Sequence, residues 1–315
     1  MIIWWLATRA GGRMRGMDVL RTPEERFGSL ADFPFEPRFV MLADGLRVAY
    51  VEAGPADGPT VVLVHGEPTW SYLYRTMLPV LADAGLHALA PDLVGFGRSD
   101  KPAERSDYSY AGHVAWLREA LFDALALRDV TYFGQDWGGL LGLRLVAEHP
   151  DRFARIVMSN TGLPTGDVRM PEVWWRFRGA VETSPHLDVG RLVAAGCRRG
   201  LSDEARAGYD APFPDDRYLA GARAFPGLVP NSPDDPAAPA QRTAWESLAH
   251  FDRPFLCAFS AGDPITAGGD RWMRDRIPGA RGVEHVVIRD AGHFVQEDAG
   301  PDLARAVIRF VSATS

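Results

Sequence analysis

Residues 130–139 read Val130-Thr131-Tyr132-Phe133-Gly134-Gln135-Asp136-Trp137-Gly138-Gly139, an apolar β-prone run, a glycine-flanked aspartate and then a helical stretch. The order has the form of the strand–turn–helix elbow Gly-x-Ser-x-Gly, with Asp136 in the Ser position. A turn that sharp strains the backbone of its central residue, and Gly134 and Gly138 remove the side chains that would collide with it. The following helix directs its N-terminal dipole at the Asp136 carboxylate. Taken alone, the same residues also describe an N-capping Asp on an ordinary strand-to-helix turn.

Outward from the elbow, Thr60-Val61-Val62-Leu63-Val64 is a β-branched run without alternation, which predicts a strand buried on both faces. Residues 87–90 and 130–133 repeat that pattern more weakly, and residues 156–158, 254–259 and 286–288 continue it. Residues 39–42 and 46–52 flank Asp44-Gly45, a pair that tolerates φ > 0 at both central positions of a tight hairpin turn. Val114, Leu117, Leu121 and Leu125, three to four residues apart, predict a helix over 110–125. Residues 140–148 and 303–311 are further helices. Strands alternating with helices predict an α/β fold with a mainly parallel, eight-stranded sheet covered on both sides.

The alternation breaks between residues 161 and 250, where Trp174-Trp175, Pro-containing turns and helical pieces occur without a strong strand. This segment is predicted to be a helical cap inserted after the sixth strand, over the carboxyl edge where open α/β sheets bind ligands. Residues 17–160 and 251–315 then form the core. Within residues 1–16, the apolar run over residues 1–7 is shorter than a signal-peptide core and far short of a membrane span, and residues 10–16 are rich in Gly and Arg. Residues 1–16 are expected to be a tail, or the product of an over-called translation start.

The 315 residues are enough for one large domain with an inserted lobe. A net charge of −7 and the lack of a dense basic run argue against nucleic acid and anionic membranes as partners. The two cysteines, Cys197 and Cys257, lack disulfide-framework or metal-ligand spacing, and fit a reducing cytoplasm.

A Ser nucleophile suits acyl transfer but needs a base before it attacks. A carboxylate is already anionic and displaces a leaving group from an sp³ carbon, giving an ester that water then attacks. Asp136 therefore moves the expectation from ester hydrolysis to carbon–halogen or epoxide chemistry. Asp263 and His293 each follow their own predicted strand. The order Asp136, Asp263, His293 is that of nucleophile, acid and His in α/β-hydrolases. His293, oriented by Asp263, is expected to activate water. The oxyanion of the ester requires donors, expected from the backbone N–H groups of Trp137 and Glu67.

Three stretches resemble haloalkane dehalogenases: residues 65–75 (His-Gly-Glu-Pro-Thr-Trp-Ser-Tyr-Leu-Tyr-Arg), residues 91–102 (Pro-Asp-Leu-Val-Gly-Phe-Gly-Arg-Ser-Asp-Lys-Pro) and residues 134–139. The resemblance continues through Ala211-Pro212-Phe213-Pro214-Asp215 and residues 291–297, and spans roughly residue 18 to the end. The Gly-x-Asp-Trp-Gly and Gly-His elements are shared with epoxide hydrolases, whereas the Glu67 loop and the cap motif are more specific. The resemblance implies a cap-covered α/β-hydrolase, a covalent alkyl-enzyme ester and no cofactor or metal. Its partners would be a small halogenated aliphatic substrate, water and halide, and its state monomeric or a small homo-oligomer. It also implies the subfamily whose relay acid follows the seventh strand, as Asp263 does. Another subfamily carries Glu after the sixth strand, where this chain has Met158-Ser159-Asn160.

For halide, the resemblance implies the Trp137 indole N–H as first donor. Ungapped alignment puts Phe177 where the family has its second Trp. Trp174, three residues earlier on the same helical face, is favoured over Trp175 as that donor. Phe225 and Pro226 match residues lining the halide pocket. The nearest alternative is an epoxide hydrolase, with Tyr209 or Tyr218 of the cap as proton donor; a further one is a non-catalytic binding relative.

Overall fold

The computed structural model describes residues 17–314, so the expected tail at 1–16 lies outside the described residues. Eight strands form one sheet: β1 (Arg38–Met41), β2 (Arg47–Ala53), β3 (Thr60–Val64), β4 (His87–Pro91), β5 (Val130–Gln135), β6 (Phe153–Ser159), β7 (Phe255–Ser260) and β8 (Val286–Ile288). Their order across the sheet is β8-β7-β6-β5-β3-β4-β2-β1. From β8 to β4 every neighbouring pair is parallel, and β2 runs antiparallel to both β4 and β1. All six residues of β5 and residues 61–64 of β3 are buried, as expected of central strands covered on both faces. A separate antiparallel ribbon pairs Val19–Leu20 with Lys101–Pro102.

The β1–β2 connection differs from the expected two-residue turn. Gly45 alone takes positive φ (92°), the Gly45 N–H donates to the Leu42 carbonyl, and Leu42 N–H closes on the Leu46 carbonyl. Asp44 instead accepts the Leu46 N–H at 3.1 Å. A three-residue loop ending in a positive-φ glycine satisfies the same sequence with only one residue in the left-handed region.

The α-helices are α1 (Leu78–Asp83), α2 (Tyr110–Arg118), α3 (Trp137–Glu148), α4 (Glu172–Thr183), α5 (Val189–Gly196), α6 (Asp203–Asp210), α7 (Ala220–Leu228), α8 (Ala238–Leu248), α9 (Gly269–Arg276) and α10 (Val295–Ala313). Over the predicted 110–125 helix, the α-form ends at Arg118 and wider π-type turns continue over Glu119–Ala124. Helix α10 starts well before the predicted residue 303. It kinks at Ala299 (φ −150°), and Pro301 opens the second segment, where its missing N–H costs little.

The segment between β6 and β7 carries α4 to α8 and no strand among the described residues. Its α6 region is bonded to the core at several points. Trp70 Nε1 donates to the Gly208 carbonyl at 3.0 Å, and Thr22 Oγ1 donates to Pro212 at 2.7 Å.

Candidate active site

Sheet register assembles the site before any side chain is considered. Val64 of β3 pairs with Gly134 of β5, and Gln135 pairs with Ser159 of β6. The loops leaving β3, β5 and β6 therefore emerge side by side at the carboxyl edge, bringing Glu67, Asp136 and Asn160 together. The loops after β7 and β8 add Asp263 and His293.

Asp136 sits at φ 51°, ψ −124° as the N-cap of α3, a conformation L residues rarely adopt. The turn is held by its backbone: Asp136 N–H donates to the Asn160 carbonyl (3.1 Å), and its carbonyl accepts from Gly139 (2.9 Å), Leu140 (3.0 Å) and Thr161 Oγ1 (2.7 Å). A Cβ on Gly138 would lie 1.9 Å from the Val64 carbonyl oxygen, so the elbow tolerates no side chain there. A Cβ on Gly66 would lie 2.3 Å from Asp136 Oδ1, so the loop after β3 needs glycine where the carboxylate passes.

The carboxylate has two distinct oxygens. Oδ1 accepts the Glu67 N–H at 2.8 Å, while Oδ2 lies 3.4 Å from His293 Nε2. His293 Nδ1 lies 2.9 Å from Asp263 Oδ2. Asp263 is fixed in turn by the Ile265 N–H (2.9 Å to Oδ1) and by the Thr266 hydroxyl on Oδ2. Burial works against ionisation at both Asp263 and His293, yet their mutual attraction prevails. The Asp263 carboxyl is held below its ordinary range by His293 and these hydrogen bonds. Against burial, the Asp263 and Asp136 carboxylates push His293 up to about 10. The imidazole is thus a cation wedged between two carboxylates at neutral pH.

The loop carrying the Glu67 N–H is pinned by neighbouring polar groups. His65, held neutral by its burial, contacts the Gly66 carbonyl through Nδ1 (3.0 Å), and its Nε2 accepts the Leu93 N–H (2.9 Å). Thr69 Oγ1 also donates to the Gly66 carbonyl at 2.8 Å. The Glu67 side chain is itself buried, and its Oε1 has no partner among the described residues. Burial and the adjacent Asp136 carboxylate raise its carboxyl well above the usual carboxylate range, favouring the neutral acid beside Asp136. No hydrogen bond from the Trp137 N–H to the Asp136 carboxylate occurs among the described residues.

Trp137 is 2% exposed, and its indole stacks on Phe225 with ring centroids 4.3 Å apart and planes at 21°. Phe225 and Pro226 are buried in α7. On α4, Trp174 is 4% exposed, whereas Trp175 and Phe177 are half-buried. The Trp174 and Trp175 rings meet edge-on, 4.8 Å apart, with the Arg178 guanidinium over both. Trp70, Trp116 and Trp245 spend their indole N–H groups on protein acceptors. Trp137, Trp174 and Trp175 have none among the described residues.

Three further residues serve the site without having been singled out from sequence. Gln135 Nε2 donates to the His293 carbonyl (3.1 Å) and lies 3.3 Å from His293 Nε2. Asn160 Nδ2 donates to the carbonyls of Gly292 and His293, both at 2.9 Å, and its Oδ1 accepts the Ser260 N–H. Asp298 bonds the loop that carries His293. Asn160 lies in the stretch Met158-Ser159-Asn160, the region compared above with another subfamily, which was the one available signal. Tyr209, expected as a possible proton donor, is buried and gives its hydroxyl to Glu297, which also takes a bidentate ion pair from Arg75. Among the described residues, no group of three or more His, Cys, Asp or Glu side chains is placed to hold a metal ion.

The sheet order, the elbow and the relay define an α/β-hydrolase, and a model of the alpha/beta hydrolase fold matches residues 59–300. The chain is 52% identical over 301 residues to a haloalkane dehalogenase of Mycolicibacterium paratuberculosis, covering 94% of this chain and 99% of that protein. It is 49% identical over 299 residues to a haloalkane dehalogenase of Psychrobacter cryohalolentis, covering 94% and 98%. Among solved structures, the tetrameric haloalkane dehalogenase DpaA from Paraglaciecola agarilytica NO2 matches with a TM-score of 0.84 at 38% identity, over 92% of this chain and 97% of that one. The chain belongs to the haloalkane dehalogenases, hydrolases of the α/β-hydrolase fold that act on carbon–halide bonds.

Proposed function

We propose that the enzyme converts haloalkanes to alcohol, halide and a proton in two displacements at Asp136. The carrying observation is the division of labour within its carboxylate: Oδ1 is anchored by the Glu67 N–H and Oδ2 faces His293. In the first step Oδ2 attacks the halogen-bearing carbon, the carbon–halogen bond breaks with its electron pair, and an alkyl ester forms. Esterification removes the Asp136 charge, one of the influences raising the His293 pKa, so the imidazole becomes a better base when one is needed. In the second step His293, held by Asp263, takes a proton from water and the oxygen adds to the ester carbonyl carbon. Charge develops on Oδ1, where the Glu67 N–H already points and the Trp137 N–H closes in as second donor. Collapse of the adduct breaks the bond from the former carboxyl carbon to the alkyl oxygen, the His293 imidazolium returns its proton to that oxygen to release the alcohol, and the Asp136 carboxyl gives up the second proton of the water to become the carboxylate again. Each step uses protein groups and water alone.

The departing halide is received by indole N–H groups, Trp137 from the elbow and Trp174 from α4. Both indoles lack a protein acceptor among the described residues, and the deeper burial of Trp174 favours it over Trp175. Phe177, Phe225 and Pro226 supply the apolar lining, and residues 161–250 act as the cap that excludes bulk water. An epoxide would instead need a proton for its alkoxide. Tyr209 is engaged with Glu297, which disfavours that reading.

The tetrameric state of DpaA supports a small homo-oligomer for this chain. No helix among the described residues is long and apolar enough to cross a membrane. A cytoplasmic location fits the two unpaired cysteines.

The test incubates wild type and Asp136→Ala with 1,2-dibromoethane, 1-bromobutane and styrene oxide. Halide release by wild type, lost by about 10⁶-fold in the variant as for removal of a nucleophile, supports the proposal. Diol from the epoxide without halide release overturns it.

A further inference from the structure

The amide and the carbonyl of His293 are held by different parts of the molecule. Its carbonyl accepts from Gln135 and Asn160, at the ends of β5 and β6. Its N–H donates to the Gly196 carbonyl at 2.8 Å, at the end of α5 in the inserted segment. The two loops touch through their backbones, because a Cβ on Gly292 would lie 2.4 Å from the Gly196 oxygen. One carboxylate joins them. Asp298, 4% exposed in the first turn of α10, accepts the N–H groups of Arg198 and Gly292 on Oδ2 and that of Arg199 on Oδ1, each at 2.8 Å. Arg198 and Arg199 follow α5, and Gly292 immediately precedes His293.

We infer that Asp298 is a positioning residue for the hydrolytic half of the reaction, seating the loop of His293 against residues 196–199 of the inserted segment. The inference rests on the proposed reading of His293 as the base. A charged acceptor shared by three backbone donors is a strong and geometrically demanding tie, and no neutral side chain of the same size replaces it. In Asp298→Asn the shape is kept, but an amide NH₂ faces one of the three N–H groups, donor against donor. That N–H is left unsatisfied and the two loops part. The Asp136 turn is held at Asn160, Thr161 and the Glu67 N–H, and Asp298 bonds none of these groups. Alkylation is therefore spared and hydrolysis is not.

The experiment follows Asp298→Asn by rapid mixing with 1,2-dibromoethane and by intact mass spectrometry. A displacement of His293 of the order of an ångström slows ester hydrolysis by about 10²-fold. The expected result is a halide burst of wild-type rate, followed by accumulation of the alkyl adduct on Asp136. Tyr209→Phe is the control, since it cuts a different contact of the inserted segment, to Glu297, without touching the His293 loop. It is expected to show no adduct.

Hydrogen exchange provides a readout independent of activity. Amides of residues 196–199 and 291–293 gain exchange together in Asp298→Asn and not in Tyr209→Phe. Equal loss of both chemical steps, wild-type partitioning, or exchange that rises in one loop without the other overturns the inference. If wild type itself released no halide, the parent reading would fall, while the exchange result would still decide whether Asp298 couples the two loops.

Discussion

The two walls of the proposed active site, the elbow and helix α4, are built by different means. On the elbow wall, backbone meets backbone or carboxylate at distances that admit no extra atom: Gly138 against Val64, Gly66 against Asp136, and Asp136 itself at φ 51°. On the α4 wall, position is set by side chains packing on side chains. Trp174 and Trp175 meet edge-on under a shared arginine, and among the described residues neither indole N–H is fixed by a backbone acceptor. Steric exclusion leaves a signature of glycines at fixed spacing. Packing among aromatics leaves only aromatics, which occur in every core.

The sharpest way to break this comparison is to remove the group that acts only in the second step. His293→Gln is expected to abolish turnover while leaving the first halide release intact, so one equivalent of halide appears per active site and the alkyl-enzyme persists in the mass spectrum. Wild type carries a pH version of the same split. Halide burst stays level as pH falls from 8 to 5, because Oδ2 needs no proton removed. Ester hydrolysis declines as His293 of the alkyl-enzyme becomes protonated, which stopped-flow measurements of the two phases resolve.

The raised His293 pKa also links to stability. A raised value means that the folded state holds the proton more tightly, so its contribution is full below 6.5 and is lost as pH rises toward about 10. Thermal midpoints fall across that window in wild type and less steeply in His293→Gln.

A smaller change tests the elbow wall directly. Gly66→Ala puts a methyl group 2.3 Å from where Asp136 Oδ1 now lies. The carboxylate must turn away from the Glu67 N–H, and the halide burst slows by about 10²-fold, as expected for a misplacement near an ångström. A burst of wild-type rate would mean that the elbow wall is softer than its contacts indicate.

The smallest effects belong to the α4 wall. Trp174→Phe removes one indole donor and is expected to weaken halide binding by about 1.5–3 kcal/mol, the range for a hydrogen bond to a charged group. Fluorescence quenching by bromide measures it, with Trp175→Phe unchanged. The reverse pattern would exchange the two tryptophans and leave the rest of the mechanism standing.

Legibility in the sequence followed the same divide. The strand runs at 60–64 and 130–133 and the elbow glycines are local patterns from which the fold could be read, and Asp136, Asp263 and His293 stood out because each follows its own strand run. Gln135 and Asn160 escaped because their roles arise from contacts 100 or more residues distant in the chain, and Asp298 because its short bond to Gly292 gains its meaning from partners such as Arg198, 100 residues away. An Asp early in a helix reads as an ordinary dipole-complementing residue, and nothing local distinguishes one that receives three amides. The Asp44-Gly45 turn shows a finer limit: the residues permitted two positive φ values, and the chain used one.

The cation wedged between two carboxylates has a consequence for the order in which products leave. In the proposed cycle the halide sits beside a neutral ester while the intermediate lasts, with no charge at Asp136 to oppose it. Hydrolysis restores an anion at Asp136, and the site that sheltered the halide becomes one that repels it. Turnover of the ester thus acts as its own ejection step for bromide or chloride, and an enzyme stalled as the alkyl adduct retains its halide longer than one that has completed the reaction.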